Sequence, residues 1–181
     1  MNTAPNPAMN YPKAGAFFFI CWLVQTTLLW RVWPFGPAAA TPAVPSLLLC
    51  AAVCFAWLYD RNYALVYAVA FGLLLDIQTQ PLFGVQALAL TLSLIPALLM
   101  RRHFNLENVL PAILAAAATP IKTLATWAIA HLFGAPQSIF LAIETLPTLI
   151  ISQIVICFIL HISFVRTIIM DRKDRRAEWA N

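Results

Sequence analysis

Charge is scarce in this chain: only 10% of its 181 residues are Asp, Glu, Lys or Arg, against roughly 25% in soluble globular chains. So few charges cannot cover the surface of a soluble monomer of this length, which excludes a freely soluble domain. Glycine is also rare, at five residues, and the Gly-rich phosphate loop and the Gly-x-Ser-x-Gly elbow are both missing, as is a His-Glu-x-x-His helix. No polar stretch is long enough to house a soluble active site. The four cysteines, Cys21, Cys50, Cys54 and Cys157, all fall in apolar runs, with no Cys-x-x-Cys and no His at a ligand spacing. They read as small buried hydrophobes, and the sequence calls for no metal and no cofactor.

What the chain has is apolar length. It is 62% hydrophobic with a mean hydropathy of +0.81, and the apolar character holds from about residue 14 to about residue 165. A helix needs about 20 predominantly apolar residues to cross the hydrocarbon core of a bilayer. Six runs stand between breakers: 14–33, closed by Pro34, Gly36 and Pro37; 42–59, opened by Pro42 and Pro45; 63 to about 78; about 84 to 100; 109–133; and 139–165. The fold class that follows is an all-α polytopic membrane protein with about six transmembrane helices. The first run has only Lys13 before it and no small-residue cleavage site, so it reads as a retained helix. Residues 1–13 read as a short cytoplasmic lead, 14–165 as one membrane domain and 166–181 as a basic cytoplasmic tail.

The net charge of +4 and pI near 9.1 do not point to nucleic acid, because the basic residues are not gathered on an aromatic-bearing polar face. Five of the eleven, Arg166, Arg172, Lys173, Arg175 and Arg176, lie in the last sixteen residues, where they can meet anionic membrane lipids. With the N-terminus inside, Lys13, Arg61, Arg101, Arg102 and those five all fall on the cytoplasmic side. Arg31 alone falls outside. The positive-inside rule then places both termini in the cytoplasm.

Ionisable residues within spanning helices cost about 2.5–3.5 kcal/mol each on insertion scales, so each needs a reason. Three stand there: Asp76, Lys122 and Glu144. Counted from the helix starts at about 1.5 Å per residue, all three fall in one layer, roughly 20 Å from the inner edge of a core about 30 Å thick. This allows an intramembrane cluster of Asp76, Lys122 and Glu144 joining helices three, five and six. The alternative is that Asp76 and Glu144 meet interfacial water while Lys122 snorkels alone. In helix five, Thr119, Lys122 and Thr126 form a stripe beside Ala115–Ala118, suited to close helix packing and to Thr bonds across the gap. Pro120 and Pro147 would kink helices five and six. His131 and His161 lie toward opposite membrane faces and are not spaced as a metal pair, while His103 adjoins Arg101 and Arg102 in a loop.

The most informative stretch runs Phe71-Gly72-Leu73-Leu74-Leu75-Asp76, then seven residues to Gly84, then Val85-Gln86-Ala87-Leu88-Ala89-Leu90. It resembles the rod shape-determining protein MreD family, small polytopic proteins with a Gly-x-x-x-Asp helix end, a turn, and a Gly-x-x-Ala-Leu-Ala-like helix. The likeness runs from about Pro42 to Arg102, with Pro45 leading an aliphatic helix before the Asp60-Arg61 turn. This chain departs from the family by placing Gln78, Thr79, Gln80 and Pro81 where Gly or Ser often follows the Asp, and Lys122 matches no family feature. Gly72 and Asp76, four apart, share a helix face, so the glycine would admit a neighbouring backbone beside the carboxylate. Asp76 would cap or pair at the helix end, and Gly84 would relieve the turn.

The resemblance implies a non-enzymatic scaffold of sidewall peptidoglycan elongation in the bacterial cytoplasmic (inner) membrane, acting with MreC, MreB, RodA and an elongation-specific penicillin-binding protein. Two other classes remain open. One is a six-helix, vitamin-type substrate-binding subunit of a membrane transporter, favoured by kinked helices and buried charge. The other is an intramembrane enzyme on a lipid-linked substrate, with Asp76 and Glu144 as acid and base; neither has a nucleophile or metal partner.

Overall fold

A computed structural model of the chain describes residues 11–29, 44–58, 61–79, 83–100, 110–134 and 139–178. Among the described residues the protein is all-helical, with six helices and no strand. Helix α1 spans Tyr11–Val24 and runs on through a π-helical stretch, Gln25–Leu29. Then come α2 at Leu47–Leu58, α3 at Arg61–Thr79, α4 at Val85–Met100, α5 at Leu110–Leu132 and α6 at Ile139–Glu178. The six apolar runs thus become six helices. The expected turns at Pro34–Pro37, at Gln80-Pro81 and at Arg101–His103 lie outside the described residues, as do Arg31 and most of the N-terminal lead.

Helix α2 is the hub, packing against all five other helices. Its residues from Leu47 to Ala56 are all buried, as befits a helix that is apolar on every side. With 12 residues it is only about 18 Å long, and it begins later than residue 42, where its apolar run starts. The preceding Pro45 and Ser46 are buried non-helical backbone. The remaining helices follow one another around it: α3 packs on α4, α4 on α5 and α5 on α6, and α6 also returns to α2. An aromatic knot fastens α1 to the hub, with Phe18 stacked on Tyr67 at 4.9 Å and edge-on to Phe55 at 5.7 Å.

Glycines end and join elements at two places. Gly134, at φ +77°, closes α5 with its N–H on the carbonyl of His131, and Gly84, at φ +96°, opens α4. Such backbone is easy only without a Cβ. Helix α6 is 40 residues long, about 60 Å. The helix runs past the apolar stretch expected to end at residue 165 and continues through the basic segment to Glu178. Residues 166–178 carry four Arg with one each of Lys, Met, Ala and Glu, all good helix formers, and hold no Gly or Pro.

The distribution of polarity is unusual for a chain in water. Large apolar side chains such as Ile77, Leu99, Ile113, Phe140, Ile151 and Ile159 face outward, while Gln25, Ser46, Asp76, Ser93, Thr119, Gln153 and His161 are buried. Two stretches, Pro111–Leu132 and Ala142–Ser163, are long and apolar enough to cross a membrane. The other four apolar helices are shorter.

Candidate functional site

The junction between α3 and α4 gathers Gly72, Asp76 and Gly84 into one unit. Asp76, near the end of α3, is 1% exposed. Its carboxylate accepts three backbone N–H bonds from the start of α4: Gly84 at 3.1 Å and Ala87 at 3.2 Å on Oδ2, and Gln86 at 2.7 Å on Oδ1. The first bond within α4 is Leu88 N–H to the carbonyl of Gly84 at 3.0 Å, which makes Gly84 the N-cap residue. An ordinary N-cap accepts these N–H groups with its own side chain. Gly84, which the turn needs at positive φ, has none, so Asp76 supplies the acceptor from the preceding helix. The same carboxylate meets the positive end of the α4 macrodipole.

Gly72 sets the distance at which this happens. A Cβ at position 72 would lie 2.5 Å from the Cα of Ala87 and 3.0 Å from its nitrogen. Those are backbone atoms, and they could give way only by separating the two helices. Absence of the side chain brings α4 close enough for Asp76 to reach its amides.

A second interhelical cap stands at the start of α2. Ser46 Oγ accepts the N–H of Leu49 at 3.3 Å, and Gln25 Oε1, from the π-helical end of α1, accepts that of Leu48 at 3.0 Å. Gln153 on α6 treats the Ser46 backbone as a strand would: its Oε1 accepts the Ser46 N–H at 3.1 Å and its Nε2 donates to the Ser46 carbonyl at 2.9 Å. The same Nε2 reaches Cys50 Sγ at 3.1 Å. Buried backbone at a helix start leaves donors that must find partners, and here two amide side chains from other helices provide them. Sequence reading weighed charged residues within the apolar runs and passed over Gln25 and Gln153; amides in an apolar run were the available signal.

The expected cluster of Asp76, Lys122 and Glu144 does not form among the described side chains. Asp76 is occupied by backbone amides, Lys122 is half-buried on α5 and Glu144 is exposed on α6. No ion pair joins any two of them. Equal depth along separate helices does not bring side chains to one point, since each helix also has its own rotation about its axis. In the stripe of Thr119, Lys122 and Thr126 the threonines bond within their own helix and not across the gap. Thr119, Thr123 and Thr126 turn their hydroxyls back to the carbonyls of Ala115, Thr119 and Lys122 on their own helix, at 2.8, 3.0 and 2.9 Å. His131 is exposed and stacks on Trp127 at 5.4 Å, whereas His161 is buried on α6.

No group of three metal-ligating side chains stands together among the described residues. The Asp76 unit, with every bond to backbone N–H groups, is suited to holding two helices at a fixed spacing and angle. No protein-family model, curated protein or solved structure matches the chain.

Proposed function

We propose that this chain is a multi-pass scaffold of the bacterial cytoplasmic membrane, resembling the MreD family, that holds components of the cell-elongation machinery together. The observation that carries the reading is the Gly72–Asp76–Gly84 joint. A family-like motif is used here for architecture, with Asp76 bonded to backbone amides and offered to no substrate. A catalytic or proton-carrying carboxylate needs a free oxygen in reach of a reacting group. This one is taken up in fixing α3 to α4.

The membrane part of the reading is supported by the outward apolar side chains and the enclosed polar ones, the arrangement that lipid favours. All six helices are proposed to cross, with both termini in the cytoplasm as the basic residues require. Helix α2, at about 18 Å, is shorter than the hydrocarbon core. Its N-terminus would lie at membrane depth, where irregular backbone is tolerated only when protein groups satisfy it. Gln25 and Gln153 do so. The outer faces of the helices would then meet lipid and the transmembrane helices of partners, with MreC, MreB, RodA and an elongation-specific penicillin-binding protein as the proposed set.

Depletion of the protein with cell shape as readout tests this. Rod cells that round up, together with cross-links from this chain to a single-span MreC-like partner, are the expected result. Normal shape with a vitamin requirement would favour a substrate-binding transport subunit and overturn the scaffold.

A further inference from the structure

We propose that Cys54 and Cys157 form a redox-active dithiol whose disulfide locks the central helix α2 to α6. All four cysteines are free and buried, but they are not equivalent. Cys54 Sγ and Cys157 Sγ lie 3.7 Å apart across the α2–α6 contact, close enough to share a hydrogen. Cys50, one turn before Cys54, is held by the Gln153 amide at 3.1 Å and faces the Gln153 carbonyl at 3.6 Å. Cys21 belongs to α1. Cys157 also contacts the carbonyl of Pro111 on α5 at 3.5 Å, so its sulfur sits where three helices meet. Among the described residues Cys54 and Cys157, 103 apart in sequence, are thus in sulfur-to-sulfur contact, and Cys50, which also neighbours Cys157, is engaged by Gln153 on both its sides.

A disulfide needs a sulfur separation of about 2.05 Å, so the two atoms must approach by roughly 1.6 Å. That approach requires rotation of the side chains about their own bonds and a small yielding of the α2–α6 contact. The oxidant is a peroxide, small and neutral enough to enter an apolar interior during local opening. One thiol sulfur forms a bond to a peroxide oxygen as the O–O bond breaks, giving a sulfenic acid and one water. The second thiol attacks that sulfur, the S–S bond forms, the S–O bond breaks and a second water leaves. Two thiols and one hydrogen peroxide thus give one disulfide and two waters. A thiol reductant reverses the change by exchange.

The consequence is a second tie between α2 and α6, covalent only when oxidised, about two turns along α2 from the bonds that Gln153 makes to Ser46 in either state. This does not depend on the elongation reading, since the pair would lock the same two helices in any six-helix membrane protein of this structure.

The test uses the full-length protein in detergent, treated with hydrogen peroxide, quenched, denatured and titrated with a maleimide polymer. The proposal expects two of the four thiols to become unreactive, a Cys54–Cys157 cross-linked peptide in the mass spectrum, and recovery of all four after dithiothreitol. Cys54→Ser and Cys157→Ser should each abolish the cross-link and Cys21→Ser should leave it. The wild-type peptide map decides the matter even if a variant fails to fold. Four thiols still reactive after peroxide, a disulfide between any other pair, or sulfinic acid at Cys54 or Cys157 in place of the bridge would overturn it.

Discussion

Gly72 and Ala87 are pressed together so closely that a single added carbon at position 72 would fall 2.5 Å from the Ala87 Cα, and the Ala87 amide beside it donates to Asp76 at 3.2 Å. Steric fit and hydrogen bonding at the α3–α4 joint are thus one property. Anything that moves α4 away from Gly72 lengthens the bonds that Asp76 makes, and loss of those bonds removes what draws α4 in.

Asp76→Asn should be the most damaging single polar change in the protein. The amide that replaces one oxygen cannot accept, and either orientation sets it against at least one of the three N–H groups. A charge-assisted bond contributes about 1.5–3 kcal/mol and an unsatisfied buried group costs a similar amount. A loss of about 3 kcal/mol in an unfolding titration from mild detergent into dodecyl sulfate is expected.

Gly72→Ala should cost about 1–3 kcal/mol, as overpacking against backbone does. In combination with Asp76→Asn the two losses should sum to more than the double variant shows, by at least about 0.5 kcal/mol, because both act through the Ala87 amide. Strict additivity in the same titration would mean that the two residues act independently.

Gln153→Leu removes both partners of the Ser46 backbone at the start of α2. Two buried groups without partners should cost about 2–4 kcal/mol. Faster hydrogen exchange at Leu48 and Leu49 in the Gln153→Leu protein would locate the damage.

Lys122→Leu and Glu144→Gln should leave stability within about 0.5 kcal/mol of wild type, or raise it for Lys122→Leu, since neither residue is in an ion pair with the other or with Asp76. A loss as large as that of Asp76→Asn would restore the three-residue cluster.

How much of this was legible in the sequence depends on whether the signal was local. Apolar runs and their breakers located all six helices and, the C-terminal end of α6 apart, their described ends to within about five residues, because length, Pro and Gly act on the chain next to them. The roles of Asp76 and Gly84 were legible for the same reason: the cap and the capped helix are only eight residues apart, bridged by one turn. Gln153 and Ser46 are 107 residues apart, and nothing near either one names the other. Whether Asp76, Lys122 and Glu144 meet was not legible, since counting residues gives only a position along each helix, whereas the rotation of each helix is set by packing with its neighbours. The end of α6 was placed too early because the charges after residue 165 end a hydrophobic run without ending a helix.

The Asp76 joint is proposed to be architectural, in a protein proposed to scaffold cell shape. The most direct measurement follows cell width and the amount of folded protein in the membrane together, in rod-shaped cells whose only copy carries Asp76→Asn, Asp76→Ala or Gly72→Ala. The account predicts that shape fails in proportion to the folded protein lost, and that variants restored to wild-type level by higher expression restore the rod. Cells that stay round while Asp76→Asn protein is folded at the wild-type level would contradict it.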